Sequence, residues 1–99
     1  MGKKHDETAK KIASQKGASY NRGQGPDVQT PQQVIEVETA DTIGDAGRQL
    51  AGFRRAAYVA GADKNAAEKA LEHYKGTTIG VMDDKGKVLK RSTRKRGGS

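Results

Sequence analysis

The stretch QQVIEVET, residues 32–39, limits the fold more than any other part of this chain. Val34, Ile35 and Val37 are β-branched and bulky, so the run predicts a strand. In a strand Ile35 and Val37 point one way, and Glu36 and Glu38 point the other way beside Val34. The apolar pair is expected in the core and the acids on a wetter face. Just upstream, "GPD" places Asp27 after a proline. Pro26 has no backbone donor, so this segment suits a sheet edge or the start of a strand. Two readings of the acids stay open: a solvated strand face with Asp27 capping a turn, or a cluster of carboxylates.

The rest of the chain alternates helical and strand patterns. "HDETAKKIASQKG" carries Thr8, Ala9, Ile12 and Ala13 at helical spacing, with Asp6 near its start and Gly17 as a stop. In "TADTIGDAGRQLAGFRR", Ile43, Ala46, Leu50 and Phe53 repeat every three or four residues, and Thr42 with Asp45 fits a capping box. Three glycines weaken that helix, which must rely on packing. "AAYVAG" reads as a buried strand. "ADKNAAEKALEHYKG" is a helix with Ala66, Ala67, Ala70, Leu71 and Tyr74 on its apolar face and Gly76 as its stop. "TTIGVMDDKGKVLKRS" reads as a hairpin turning at "DDKG". This order predicts an α/β fold, a small mixed sheet flanked by helices. Residues 1–90 form one domain and residues 91–99 a basic flexible tail.

With 99 residues the chain supports one modest core, and 32% apolar residues imply much surface. There is no Cys, which excludes a disulfide framework or a thiolate metal site. His5 and His73 are too far apart in sequence to form a local motif. No stretch is apolar enough to cross a bilayer, and the basic N-terminus has no apolar segment behind it. A soluble intracellular protein, cytoplasmic or nucleoid-associated, is expected. The net charge of +7 is uneven. Residues 1–84 hold all 12 acids and 12 of the 19 Lys and Arg; the last fifteen residues hold the other seven cations and no acid. Such a run suits a phosphate backbone, or it serves as a solubilising tail.

Asp27, Glu36 and Glu38 offer hard oxygen ligands suited to Mg²⁺ or Mn²⁺. "GPD" followed by "IEVE" resembles the core of the PD-(D/E)XK nuclease superfamily, which includes restriction-type endonucleases and archaeal Holliday junction resolvases. The superfamily pattern is Pro-Asp near one strand and acid-x-Lys in the next, within an αβββαβ core. Pro26-Asp27 and Glu36-Val37 match it, and Glu38 stands where Lys is usual. Gln49 and Phe53 resemble the Gln-x-x-x-Tyr feature of some members, and Glu7 resembles their helical acid. The likeness spans roughly residues 5–75. It implies a restriction endonuclease-like core, with Asp27, Glu36, Glu38 and Gln49 as catalytic residues and Glu7 as an accessory acid. It also implies Mg²⁺ or Mn²⁺ held by Asp27, Glu36 and Glu38. Lys11 and Arg48 are candidates to supply the charge of the missing lysine.

The leading expectation is therefore metal-dependent phosphodiester hydrolysis by a small endonuclease acting on nucleic acid, DNA rather than RNA. Arg54, Arg55, Lys87, Lys90, Arg91, Arg94, Lys95 and Arg96 would hold the backbone. A symmetric homodimer would set two such sites on two strands or on a branched junction. The alternative is a non-catalytic DNA- or RNA-binding protein that uses the same basic residues, its acids being structural or vestigial. A third reading is a ribosome-associated or partner-binding protein whose tail folds only in its complex.

Overall fold

The computed structural model describes residues 3–18, 20–21 and 26–93. The elements run α1 (Lys3–Gln15), β1 (Val28–Gln29), β2 (Gln33–Glu38), a 3-10 turn (Ile43–Asp45) leading into α2 (Ala46–Leu50), β3 (Ala56–Gly61), α3 (Lys64–His73), β4 (Gly80–Met82) and β5 (Val88–Lys90). The five strands lie in sequential order in one mixed sheet. β2, β3 and β4 are mutually parallel, and the edge strands β1 and β5 are antiparallel to their neighbours. Parallel neighbours require crossover connections, which α2 and α3 supply.

Helices cover both faces of the sheet. Ala9, Ile12 and Ala13 of α1 pack on Val28, Ile35, Val37, Tyr58, Ala60 and Met82. α2 and α3 cover the other face, with Leu50, Ala66, Ala70 and Tyr74 against Val34, Ala57, Val59 and Val81. The alternation expected along β2 is present: Ile35 and Val37 face α1, and Val34 faces α2 and α3. The acid face is not wetter, however, because Glu36 and Glu38 are buried with their apolar neighbours. A parallel central strand has helices on both sides, and that costs these carboxylates their water.

Local chemistry explains most boundaries. Gly17 ends α1 with φ 68° and Gly76 follows α3 with φ 79°, conformations that an L residue adopts at a cost. The Asp63 side chain caps α3 by accepting from the Ala66 N–H at 2.8 Å. The expected 39–55 helix is shorter, and Thr42 makes no side-chain capping bond. The Thr42 hydroxyl bonds within the preceding turn, where it accepts from the Thr39 N–H at 3.2 Å. The Tyr74 hydroxyl pins this region: it donates to the Ile43 carbonyl at 2.7 Å and accepts from the Gly47 N–H at 2.9 Å.

Beyond β5 the chain stays bonded to the body of the protein through Ser92 and Thr93. Ser92 Oγ accepts from the Ala57 N–H at 3.1 Å and donates to the Thr78 carbonyl at 2.9 Å, and the Thr93 N–H donates to the same carbonyl at 3.0 Å. Ser92 is thus tied to the start of β3, and both Ser92 and Thr93 to the segment before β4. Among the described residues no helix is long and apolar enough to cross a membrane.

Candidate functional site

β1 and β2 run antiparallel with Val28 opposite Ile35. The same register sets Asp27 opposite Glu36. Glu38 follows Glu36 by two residues on the same face. Three carboxylates therefore gather where β2 ends. Backbone bonds lock the arrangement: the Val37 N–H donates to Asp27 Oδ2 at 2.9 Å, and the Asp27 N–H donates to Glu36 Oε1 at 3.2 Å. Asp27 is thus a cross-strand brace and not a local turn cap. Pro26 at the edge leaves the neighbouring Asp27 N–H to serve Glu36.

α1 brings a fourth group. His5 Nε2 lies 3.2 Å from Asp27 Oδ2, and its Nδ1 lies 3.3 Å from Asp6 Oδ1. Asp6 Oδ1 also accepts from the Tyr20 hydroxyl at 2.9 Å. One turn along α1, Thr8 donates to the Ala62 carbonyl just beyond β3. His5, Thr8, Asp27, Glu36 and Glu38 are the buried polar or charged residues among those described, and all five stand at this end of the sheet.

The electrostatics follow from this crowding. Burial pushes the Asp27 carboxyl up, opposed by the Val37 N–H and by attraction to His5. Burial pushes Glu36 up to about 8, and repulsion from Asp27 and Glu38 adds to the shift. Burial also raises Glu38, opposed by hydrogen bonds from the Thr42 and Glu36 side chains. A proton on Glu36 is shared toward Glu38, and it relieves charge that lacks water. Every buried side-chain nitrogen or oxygen among the described residues has a partner. No group of three His, Asp or Glu residues among them stands in a ready ligand geometry. The donor set itself, carboxylate oxygens beside one imidazole, fits a hard divalent cation.

The other sequence candidates lie elsewhere. Glu7 is exposed on α1; Asp6 and His5 on the same helix reach the cluster instead. Gln49 is exposed on α2 and has no hydrogen bond to the carboxylates. Lys11 is exposed, and Arg48 is exposed with its guanidinium 3.2 Å from Asp45. Arg54 and Arg55 precede β3, at the opposite end of the sheet from Glu38 and its register partner Gly61. Five residue steps along β2 separate the two ends by about 17 Å. Lys87 is exposed at the β4–β5 turn, and Arg91 is exposed beyond β5. Lys90 Nζ is engaged with the Thr77 and Ile79 carbonyls. Arg94, Lys95 and Arg96 lie outside the described residues.

Sequence reasoning missed His5. A signal for it existed, because residue 5 extends the buried 8, 9, 12, 13 stripe by one helical turn toward the N-terminus. No protein-family model matches the chain, and no curated protein or solved structure is detectably similar to it.

Proposed function

We propose that the protein is a divalent-metal-dependent nuclease-like hydrolase of nucleic acid. The observation that carries this reading is the convergence of Asp27, Glu36 and Glu38, all buried, where β2 ends. Three carboxylates in so little water are unfavourable unless protons or a cation neutralise them. Buried acids with raised pKa cluster at functional sites. The order of elements adds support: α1, an isolated antiparallel bridge from Tyr20 to Val28, β1, β2, α2 and β3. Counting the bridge as a rudimentary strand, this succession is in keeping with the αβββαβ order of the PD-(D/E)XK superfamily, with Asp27 just before β1 and Glu36 and Glu38 on β2.

On this reading Asp27, Glu36 and Glu38 hold Mg²⁺ or Mn²⁺. A divalent ion there supplies polarisation of a phosphoryl oxygen and activation of the attacking water. The Val37 N–H keeps Asp27 oriented. The Asp27 N–H does the same for Glu36. His5, held by Asp6, which itself accepts from Tyr20, positions Asp27 Oδ2, the oxygen that also accepts from the Val37 N–H. Glu38, in the place of the usual lysine, adds negative charge where the family pattern has positive charge.

The test is cleavage of DNA in Mg²⁺ or Mn²⁺. Asp27→Asn and Glu36→Gln each abolish it while circular dichroism stays native. Undiminished cleavage by either folded variant overturns the assignment. A second reading, non-catalytic binding of DNA or RNA, draws on the seven cations and no acid of the last fifteen residues. Under either reading, removing residues 94–99 with their three cations weakens duplex binding and flattens its salt dependence. An unchanged salt slope removes the tail from the interface.

A further inference from the structure

A cavity of about 730 Å³ lies at the sheet end opposite the carboxylates. One wall is the β1–β2 turn, with Gln29, Thr30 and Pro31; the other is the α2–β3 loop, with Phe53, Arg54 and Arg55. Among the described residues no acid lines it. Arg55 is built into the wall: its Nη1 donates to the Thr30 carbonyl at 2.8 Å, and its guanidinium carbon sits 5.5 Å from the centre of the Phe53 ring. The loop is therefore braced across the cleft, and the remaining donors of the Arg55 fork are oriented. Arg54 is exposed and makes no salt bridge or hydrogen bond among the described residues. The described chain also ends at this side of the molecule, because Ser92 is bonded to Ala57, two residues after Arg55. Arg94, Lys95 and Arg96 follow directly in sequence.

We infer that this cleft is a second site, separate from the carboxylates, that binds a phosphate ester. Oriented guanidinium groups match the geometry of phosphate oxygens, and two arginines with no neighbouring acid favour an anion of more than one charge. The volume is larger than an inorganic phosphate fills, and Phe53 with Pro31 gives the esterified group an apolar wall. The same chemistry is offered by a free nucleotide and by a phosphate of a nucleic-acid strand. The inference does not depend on hydrolysis at the carboxylate end.

Amide NMR titrations at low salt test it, with inorganic phosphate, a nucleoside monophosphate and a short single-stranded oligonucleotide as separate probes. The signals of Thr30, Phe53 and Arg54 shift saturably with an ester probe and less with inorganic phosphate. Shifts with the mononucleotide identify a free ester as sufficient; shifts with the oligonucleotide alone identify a strand phosphate. Arg54→Glu, at an exposed side chain without an intramolecular bond, weakens binding by about tenfold or more. The inference falls if none of the three probes moves these signals, or if Arg54→Glu titrates like the wild type.

Discussion

The two ends of β2 handle charge in opposite ways. At its C-terminal end, Asp27, Glu36 and Glu38 are buried, bound to backbone donors and to one another, and raised in pKa. At its N-terminal end, Arg54 is exposed, and Arg55 reaches a carbonyl through a half-open cleft. The difference is one of chemistry as much as position. A guanidinium keeps its charge and can reach water along its stem. The buried carboxylates cannot, so a proton on Glu36 relieves their charge. Two glycines also differ in packing. Gly61 lies against α3, where a Cβ would overlap the backbone of Ala67, whereas a Cβ on Gly52 would meet nothing within 4 Å.

The largest effect expected from this contrast is at Gly61. Gly61→Ala forces α3 away from the sheet and costs about 2 kcal/mol or more in denaturant unfolding. Gly52→Ala, at the open end, stays within about 0.5 kcal/mol of wild type. Equal effects at the two glycines would erase the packing contrast.

Next comes the pH dependence of the metal-free protein. All three carboxylates have folded pKa values above their unfolded ones. Between the unfolded value and the folded one, the native state binds more protons than the unfolded state. Stability therefore declines as pH rises, from the ordinary glutamate value of 4.5 through the Glu36 value of about 8. Urea midpoints across this range measure the decline. Glu36→Gln, a neutral mimic of the protonated acid, flattens the curve and is the more stable protein at its alkaline end. A wild-type midpoint that rises with pH over this interval would mean the carboxylates are ion-paired and not crowded.

The smallest effects belong to the arginines. Arg55→Ala loses the bond to the Thr30 carbonyl and its contact with Phe53, a cost of about 1 kcal/mol. Arg54→Ala changes stability by less than about 0.5 kcal/mol. A larger loss at Arg54 than at Arg55 would show that the cleft is held together differently.

Much of this was legible in the residues. The β-branched run around Glu36 marked β2, the alanine-rich stripe marked α3, and "DDKG" marked the final turn. These succeed because period and turn chemistry act locally. The face shared by Glu36 and Glu38 followed from strand geometry alone, but their burial did not. Burial depends on α2 and α3 returning to one side of the sheet, which no window of sequence contains. The short α2 was missed for a related reason: the Tyr74 hydroxyl, 31 residues from Ile43, holds the 3-10 turn in place. His5 was overlooked because its partner, Asp27, is joined to it only by the docking of α1. Arg54 and Arg55 were grouped with the basic tail by charge, and the register of β3 sets them far from the carboxylates.

The central claim is that the three carboxylates form a cation site, and thermal melting near neutral pH with and without Mn²⁺ tests it most directly. Mn²⁺ at millimolar concentration raises the melting temperature of the wild type by several degrees, because binding to the native state alone adds stability. Asp27→Asn and Glu36→Gln lose most of that rise. A wild type whose melting temperature ignores Mn²⁺, or variants that gain as much as the wild type, would contradict the claim.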